Sequence, residues 1–173
     1  MDGFTLETLM RKDKHVAPMF EGVFAADTLP RTLHKRPALL IANTDPITKP
    51  GQHWVAFYIG ENGEGEFWDS SGMPPLVPNH KKFLNRLCKK WTYNHTSLQS
   101  LDSEVCGEYC VLYLVHRAHG HTLHSFIKKL FCRNTEKNDK IVRTLFKRMF
   151  GYKKNCVLPH DSKSQRACAR KKL

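Results

Sequence analysis

The chain has 173 residues, 40% of them hydrophobic, which is enough for one globular domain with a core. This composition excludes a disordered chain. Lys and Arg number 28 against 16 acidic residues, which gives a net charge of +12 at pH 7. Such an excess attracts polyanions, either nucleic acid or an acidic membrane surface, without regard to sequence.

Two features bear on the cellular compartment. No N-terminal stretch has the basic-then-apolar plan of a signal peptide, and no apolar run approaches the length of a bilayer span. The six cysteines are sparse and irregularly spaced, so we expect mostly free thiols. Together these features predict a soluble, intracellular protein without membrane insertion.

The first half of the chain has the periodicity of a small sheet. We predict a helix over 4–14, an edge strand over 20–24 and a strand buried on both faces over 38–42. Aromatic and β-branched residues over 53–59 predict a central strand. Turn residues at 60–65 and a returning strand from 66 predict a hairpin with that central strand.

The second half is mostly helical by the same criterion. We predict helices over 79–90 (with Asn79 as its cap), 106–119, 122–130 and 139–150, and a short strand over 91–94. A sheet followed by helices makes the fold class α+β, with a small mixed central sheet packed against helices. We assign residues 1–150 to one domain and 151–173 to a basic, mobile C-terminal tail.

Cys106 has the sequence setting of a nucleophile. A thiol attacks an amide efficiently only as the thiolate. Cys106 immediately precedes a strong helical pattern, and the unpaired N–H groups and dipole of a helix N-terminus favour negative charge on sulfur. The adjacent Gly107 lets a substrate backbone approach that sulfur.

His53, Asp69 and Gln99 are suited to assist such a thiol. His53 opens one strand of the predicted hairpin and Asp69 ends the other, so strand pairing brings imidazole and carboxylate together. The carboxylate would fix the imidazole tautomer and stabilise its charged form. Gln99, seven residues before Cys106, is placed to donate a side-chain N–H to a developing oxyanion, beside the Cys106 backbone N–H.

Each of these residues alone has an ordinary explanation. The histidine fits a strand end, the aspartate a turn, the cysteine a buried apolar position and the glutamine a polar loop. Their order and spacing in a strand–strand–helix setting together favour a catalytic site.

Three motifs carry a family resemblance: His53-Trp54, the segment Phe67-Trp-Asp-Ser-Ser-Gly72, and Gln99 followed by Cys106-Gly107. They resemble the adenovirus protease (adenain) family and, more distantly, the proteases that deconjugate SUMO. The resemblance implies a papain-like cysteine protease fold with the nucleophile at a helix N-terminus and the catalytic roles at His53, Asp69, Gln99 and Cys106. The implied activity is a thiol endopeptidase that cleaves viral or virus-like precursor proteins after small residues, usually glycine.

The resemblance also implies partners. DNA is the expected stimulator, bound by non-specific electrostatics through the tail and a lysine-rich helix (Lys81, Lys82, Lys89, Lys90). Cys88 matches the spacing of the cysteine through which the adenovirus enzyme forms a disulfide with a capsid-derived activating peptide. We expect peptide substrates, no metal or small-molecule cofactor, a monomer, and a location in the host nucleus or virion.

Several alternatives remain open. Adenain has Glu where Asp69 stands, whereas the SUMO proteases have Asp, so a deconjugating isopeptidase is the second hypothesis. An acyltransferase and a non-catalytic DNA-binding protein are the others.

Trp54 is expected either in the core or in the wall of a substrate groove. A zinc site is a poor match because zinc knuckles pair closely spaced cysteines on turns, unlike the scattered candidates Cys106, Cys110, His116, His119, His121 and Cys132.

Overall fold

The computed structural model describes residues 1–151, so the predicted tail lies outside the described residues except for Gly151. In chain order the elements are α1 (Gly3–Lys12), β1 (Phe20–Phe24), β2 (Ala38–Asn43), β3 (Trp54–Ile59), β4 (Glu64–Trp68), α2 (Pro78–Leu87), β5 (Lys90–Tyr93), α3 (Cys106–Ala118), α4 (Leu123–Leu130) and α5 (Thr135–Phe150).

The five strands form one mixed sheet in the order β1-β2-β3-β4-β5. The outer pairs, β1 with β2 and β4 with β5, are parallel, whereas β3 is antiparallel to both of its neighbours. The predicted hairpin is therefore confirmed as β3–β4, and β1 lies at a sheet edge as expected. Register pairs Ala56 with Trp68, so the open end of this hairpin holds the residues just before β3 and just after β4.

Helices cover both faces of the sheet. On one face Leu39, Ile41 and Trp68 pack against α3, with α1, α4 and α5 around it. On the other face Leu40 and Phe57 pack against α2. Because both faces are covered, all six residues of β2 are buried, which explains its continuous apolar run.

The first helix after the hairpin has a different cap and an earlier end than predicted. The helix predicted over 79–90 is α2, and it stops three residues early. The backbone N–H of Lys89 instead donates to the Gly63 carbonyl at 2.8 Å, and the next residue begins β5. Sheet pairing therefore ends this helix. Asn79 is not its cap, because Pro78 already occupies the first turn.

The last helix starts earlier than predicted. The element predicted over 139–150 is α5, which begins at Thr135. Asn134 caps it by accepting a hydrogen bond from the backbone N–H of Lys137 at 2.8 Å. This first turn is polar, so no apolar repeat marked it in the sequence. The other elements agree with their predicted bounds to within one or two residues.

No helix within residues 1–151 is long and apolar enough to span a membrane.

The buried His80 predicts an acid-sensitive fold. Its ring is fully buried among aromatic side chains, and its Nε2 lies 3.1 Å from the Asn43 carbonyl. Burial lowers the pKa of His80 from 6.5 to about 4, against the opposing effect of this hydrogen bond. Between these two values the unfolded chain binds a proton at His80 that the folded chain does not bind. The free energy of unfolding therefore decreases as the pH falls from 6.5 through about 4.

We expect the free energy of unfolding to fall by about 1–3 kcal/mol more in the wild type than in His80→Gln between neutral and mildly acidic pH, at roughly 1.4 kcal/mol for each pKa unit. Urea denaturation at several pH values measures this. His124→Gln, which changes an exposed histidine, should keep the wild-type pH dependence. Equal pH dependence in His80→Gln and the wild type would contradict the assignment.

Candidate active site

The Cys106 thiol lies at the start of α3, against the imidazole of His53. Cys106 is the first residue of the helix and is 9% exposed. The His53 ring, which precedes β3, is within hydrogen-bonding range of the thiol. The backbone N–H groups of Trp54 and Gly107 also point at the sulfur. The structure thus brings together the two residues predicted to react.

The carboxylate of Asp69 holds the other side of this imidazole. His53 Nε2 lies 2.8 Å from Asp69 Oδ1, and the backbone N–H of Ser71 donates to the same oxygen at 2.8 Å. Because Nε2 is engaged by Asp69, Nδ1 is the ring nitrogen left to face Cys106. The carboxylate therefore selects which nitrogen can exchange a proton with the thiol.

Electrostatics favour an ion pair between thiol and imidazole. Burial opposes charge on both groups, but the hydrogen bonds outweigh it. Hydrogen bonds to Asp69 and Cys106 raise the pKa of His53 to about 10. Hydrogen bonds from His53 and from backbone N–H groups lower the pKa of Cys106 below its ordinary 9.0. Near neutral pH this arrangement favours a thiolate beside an imidazolium.

Asn94 supports the carboxylate, and sequence reasoning missed it. It follows β5 and is 2% exposed. Its side-chain Oδ1 accepts from the Asp69 backbone N–H at 2.9 Å, and its Nδ2 donates to the Asp69 carbonyl at 2.5 Å. The amide thus continues the β4–β5 pairing by one more residue. A polar residue directly after a strand was the available signal, but only the register shows what it faces.

Gln99 lies in the loop that leads to Cys106. Its Oε1 accepts from the Ser70 hydroxyl at 2.7 Å, and its Nε2 donates to the Ser103 carbonyl at 2.6 Å. The side chain is almost fully buried beside the turn that carries Asp69. Its amide is therefore fixed close to the nucleophile loop. Its predicted role as oxyanion donor stays a prediction.

The two groove candidates, Trp54 and Gly107, are neighbours. A Cβ added at Gly107 would lie 3.5 Å from Trp54 Cδ1 and 3.4 Å from Met1 Cβ. The space left by this glycine is therefore filled by the N-terminal residues and the indole. Trp54 also donates from Nε1 to the Met1 carbonyl at 2.9 Å.

A groove beside Trp54 opens to solvent. Its volume is about 520 Å³, and α1, β1 and the loop between β2 and β3 form its walls. Phe4 and Ile47 line it and are 82% and 69% exposed, respectively. Trp54 thus lies in the groove wall rather than in the fully buried core, whereas Trp68 is fully buried.

Cys88 and Cys110 are less suited to reaction than Cys106. Cys88 follows the end of α2 and is half-buried, and burial raises its pKa to about 11. Cys110, one turn after Cys106, is fully buried, which raises the pKa of its thiol. Within residues 1–151, no group of three or more His, Cys, Asp or Glu side chains is placed to hold a metal ion.

Comparisons with known proteins agree with this architecture. No protein-family model matches the chain, and no curated protein sequence matches it. Among solved structures, the ASFV pS273R protease superposes with a TM-score of 0.60 over 84% of the chain at 18% identity. The central domain of an uncharacterized Legionella pneumophila protein, Lpg1148, superposes with a TM-score of 0.51 over 86% of the chain, and 96% of that domain, at 16% identity.

These similarities concern the fold. The predicted class, an α+β papain-like cysteine protease fold with a mixed sheet, is confirmed. The chain spans 65% of the length of the ASFV pS273R protease. Neither neighbour is an adenovirus protein, so the narrower resemblance to the adenovirus protease stays a prediction.

The paired thiol and imidazole predict an unusual pH dependence of alkylation. We expect iodoacetamide to modify Cys106 with an apparent pKa below 9.0, because the thiolate persists beside the imidazolium. Asp69→Asn removes the charge that stabilises the imidazolium, so this apparent pKa should rise. Asn94→Ala should shift it in the same direction by a smaller amount. Mass spectrometry of labelled peptides measures the rate at each cysteine.

The exposed Cys132 provides an internal control. Its alkylation rate should have the same pH dependence in all three proteins, because it is remote from the Asp69 hydrogen bonds. If the pH dependence of alkylation were the same at Cys106 as at Cys132, the ion pair would be excluded.

Proposed function

We propose that the protein is a thiol endopeptidase with Cys106 as nucleophile, His53 as general base and acid, and Asp69 as the group that orients the imidazole. The observation that carries this proposal is the His53 ring, held between the Asp69 carboxylate and the Cys106 thiol at the N-terminus of α3. A fold shared with the ASFV pS273R protease supports it.

The geometry suits a two-step acyl transfer. The Cys106 thiolate attacks the peptide carbonyl carbon and forms a C–S bond, while the carbonyl oxygen takes the negative charge. The His53 imidazolium then gives its proton to the leaving amine as the C–N bond breaks. In the second step neutral His53 takes a proton from water, which attacks the thioester and releases the new carboxyl end and the thiolate.

The negative charge on oxygen needs donors fixed before the reaction. The backbone N–H of Cys106 has no helical acceptor, because Cys106 is the first residue of α3. The Gln99 amide, buried beside the nucleophile loop, is the proposed second donor. One such donor is worth on the order of 3 kcal/mol in the transition state.

The substrate proposal combines the groove with the family resemblance. Trp54, the residue after His53, lines the groove together with Phe4 and Ile47, and we propose this groove as the surface that holds an extended peptide. We propose cleavage of viral or virus-like precursor proteins after glycine. The second candidate, a deconjugating isopeptidase, is favoured by one observation: the carboxylate at position 69 is Asp, as in the SUMO proteases.

Peptide cleavage tests this function directly. A library of fluorogenic peptides should show cleavage after glycine by the wild type. Cys106→Ala should lower the rate by at least about 10³-fold, since the nucleophile is removed. Cys110→Ala, one helical turn away, is the matched control and should retain activity. No cleavage of any peptide by the folded wild type would contradict the proposal.

A ubiquitin-like probe separates the two candidate hydrolases. A probe that ends in a C-terminal electrophile should label Cys106 rapidly only if the protein is a deconjugating isopeptidase. Cleavage of short peptides without probe labelling would favour the endopeptidase.

We also propose that DNA binds the protein and stimulates it, through the predicted tail and lysine-rich helix, and that α5 supplies a further contact surface. Lys140, Arg143 and Lys147 recur at helical spacing on α5, and all three are exposed. Asp139, their acidic neighbour, is turned into the core, where it accepts a hydrogen bond from Ser100. The face therefore presents a row of cations to phosphates.

Reversal of three charges tests the α5 surface. The triple variant Lys140→Glu, Arg143→Glu, Lys147→Glu should weaken binding to duplex DNA by at least about 10-fold. It should also reduce the salt slope by about 2–3, since each phosphate contact contributes about 0.9. Fluorescence anisotropy over a salt series measures both quantities. The same reversal of Lys81, Lys82 and Lys89, in and after α2, should also weaken binding, and the comparison measures the contribution of each surface. Salt-independent wild-type binding would contradict the proposal.

A capsid-derived activating peptide remains part of the proposal, with Cys88 as its disulfide partner. Cys88 packs against Gly65, where an added Cβ would meet the sulfur at 2.5 Å, so the thiol must turn outward to react. Location in the host nucleus or virion and a monomeric state stay predictions.

A further inference from the structure

Ser70 is a buried residue of the turn after β4 that hydrogen-bonds to Gln99. It is fully buried. Its hydroxyl donates to Gln99 Oε1 at 2.7 Å. Its backbone carbonyl accepts from the backbone N–H groups of Leu98 at 2.9 Å and Gln99 at 3.1 Å. One residue therefore holds both the main chain and the side chain of Gln99.

These contacts determine which way the Gln99 amide points. A hydroxyl has one hydrogen to donate, and Ser70 gives it to Oε1. The Ser103 carbonyl can only accept, so it must face Nε2, as it does at 2.6 Å. The reversed amide would set two oxygens against each other at the Ser103 carbonyl, so this carbonyl selects the orientation. The Ser70 hydroxyl can donate or accept; in the selected orientation it donates to Oε1 and holds the other end of the amide in place.

The selected orientation turns Nε2 toward the chain segment that leads to Cys106. Ser103 belongs to the loop that ends at Cys106, and Nε2 points toward this loop. Within residues 1–151 its carbonyl is the one acceptor of Nε2, so one of the two Nε2 hydrogens is available for an oxyanion. An unfixed amide would present its carbonyl oxygen to the oxyanion for part of the time, and that would repel the developing charge.

We propose that Ser70 is a positioning residue of the acyl-transfer site, which fixes the Gln99 amide so that it donates to the oxyanion. The proposal rests on the proposed role of Gln99 and goes further, because it assigns a catalytic consequence to a residue that touches neither substrate nor thiol. It also gives a function to the serine that follows Asp69 in the sequence.

The test compares two reactions of Cys106 in the full chain. Acylation by p-nitrophenyl acetate passes through an oxyanion, whereas alkylation by iodoacetamide does not. We expect Gln99→Ala to slow acylation about 10²-fold and Ser70→Ala about 10-fold, with alkylation unchanged in both. The double variant should match Gln99→Ala alone, since Ser70 acts through Gln99.

Two further variants separate positioning from stability. Ser70→Thr keeps the hydroxyl and should restore most of the acylation rate. Ser100→Ala removes another hydrogen-bonded hydroxyl of the same region, one that binds Asp139 instead of Gln99, and should leave the ratio of acylation to alkylation unchanged.

The proposal would be overturned by acylation unaffected by Ser70→Ala, by acylation and alkylation lowered equally, or by independent losses in the double variant. Equal acylation by the wild type and Gln99→Ala would also overturn it. Because neither reagent is a peptide, the experiment decides the role of Ser70 even if the protein cleaves no peptide, a result that would refute the proposed function alone.

Discussion

The site depends on one interaction, the contact of the His53 ring with Asp69 on one side and Cys106 on the other. Burial alone would keep the thiol and the imidazole neutral. Hydrogen bonds reverse this preference for both groups, and they do so only while the ring stays in place. A small displacement of the hairpin or of α3 would therefore change the charge state of the site as well as its geometry.

Core packing, rather than a local loop, sets this geometry. The buried residues of α3 extend from Cys106 to Val115, so the position of the helix start is determined by contacts along the helix. Trp68 links the carboxylate to the nucleophile helix. It ends β4 just before Asp69, and its ring stacks on that of Tyr113 of α3 with 4.9 Å between the ring centroids. Nucleophile and carboxylate are thus attached to one rigid core.

The turn after β4 links Asp69 to the segment that carries Gln99, the proposed oxyanion donor. Gly72 closes this turn with φ of +72°, and an added Cβ there would meet the Thr96 backbone at 2.5 Å. The segment that carries Gln99 is braced from α5, because Asn138 donates to the Leu98 carbonyl at 3.1 Å. Helix α5 therefore supports the segment that carries Gln99.

Sequence reasoning located the elements that have strong local patterns and missed those decided by long-range pairing. The aromatic and β-branched residues of β3 and the turn residues before β4 predicted the hairpin, and hence the contact of His53 with Asp69, because antiparallel register follows from local signals. The end of α2 depends on β5 joining β4, which no local pattern shows. Asn94 and Ser70 were missed for the same reason: both are ordinary polar residues until the parallel pairing sets one beside Asp69 and the turn sets the other beside Gln99.

The chemistry of the site constrains function less than its surroundings do. Endopeptidases, deconjugating isopeptidases and acyltransferases can all form the same thioester on cysteine, so the His53–Cys106 pair cannot distinguish them. They differ in what leaves before the thioester forms and in what attacks it afterwards. The groove beside Trp54 is open and has exposed apolar side chains at its rim, which suits an extended polypeptide. We propose this groove as the surface that binds the acyl donor, and on that proposal its lining residues distinguish the three activities.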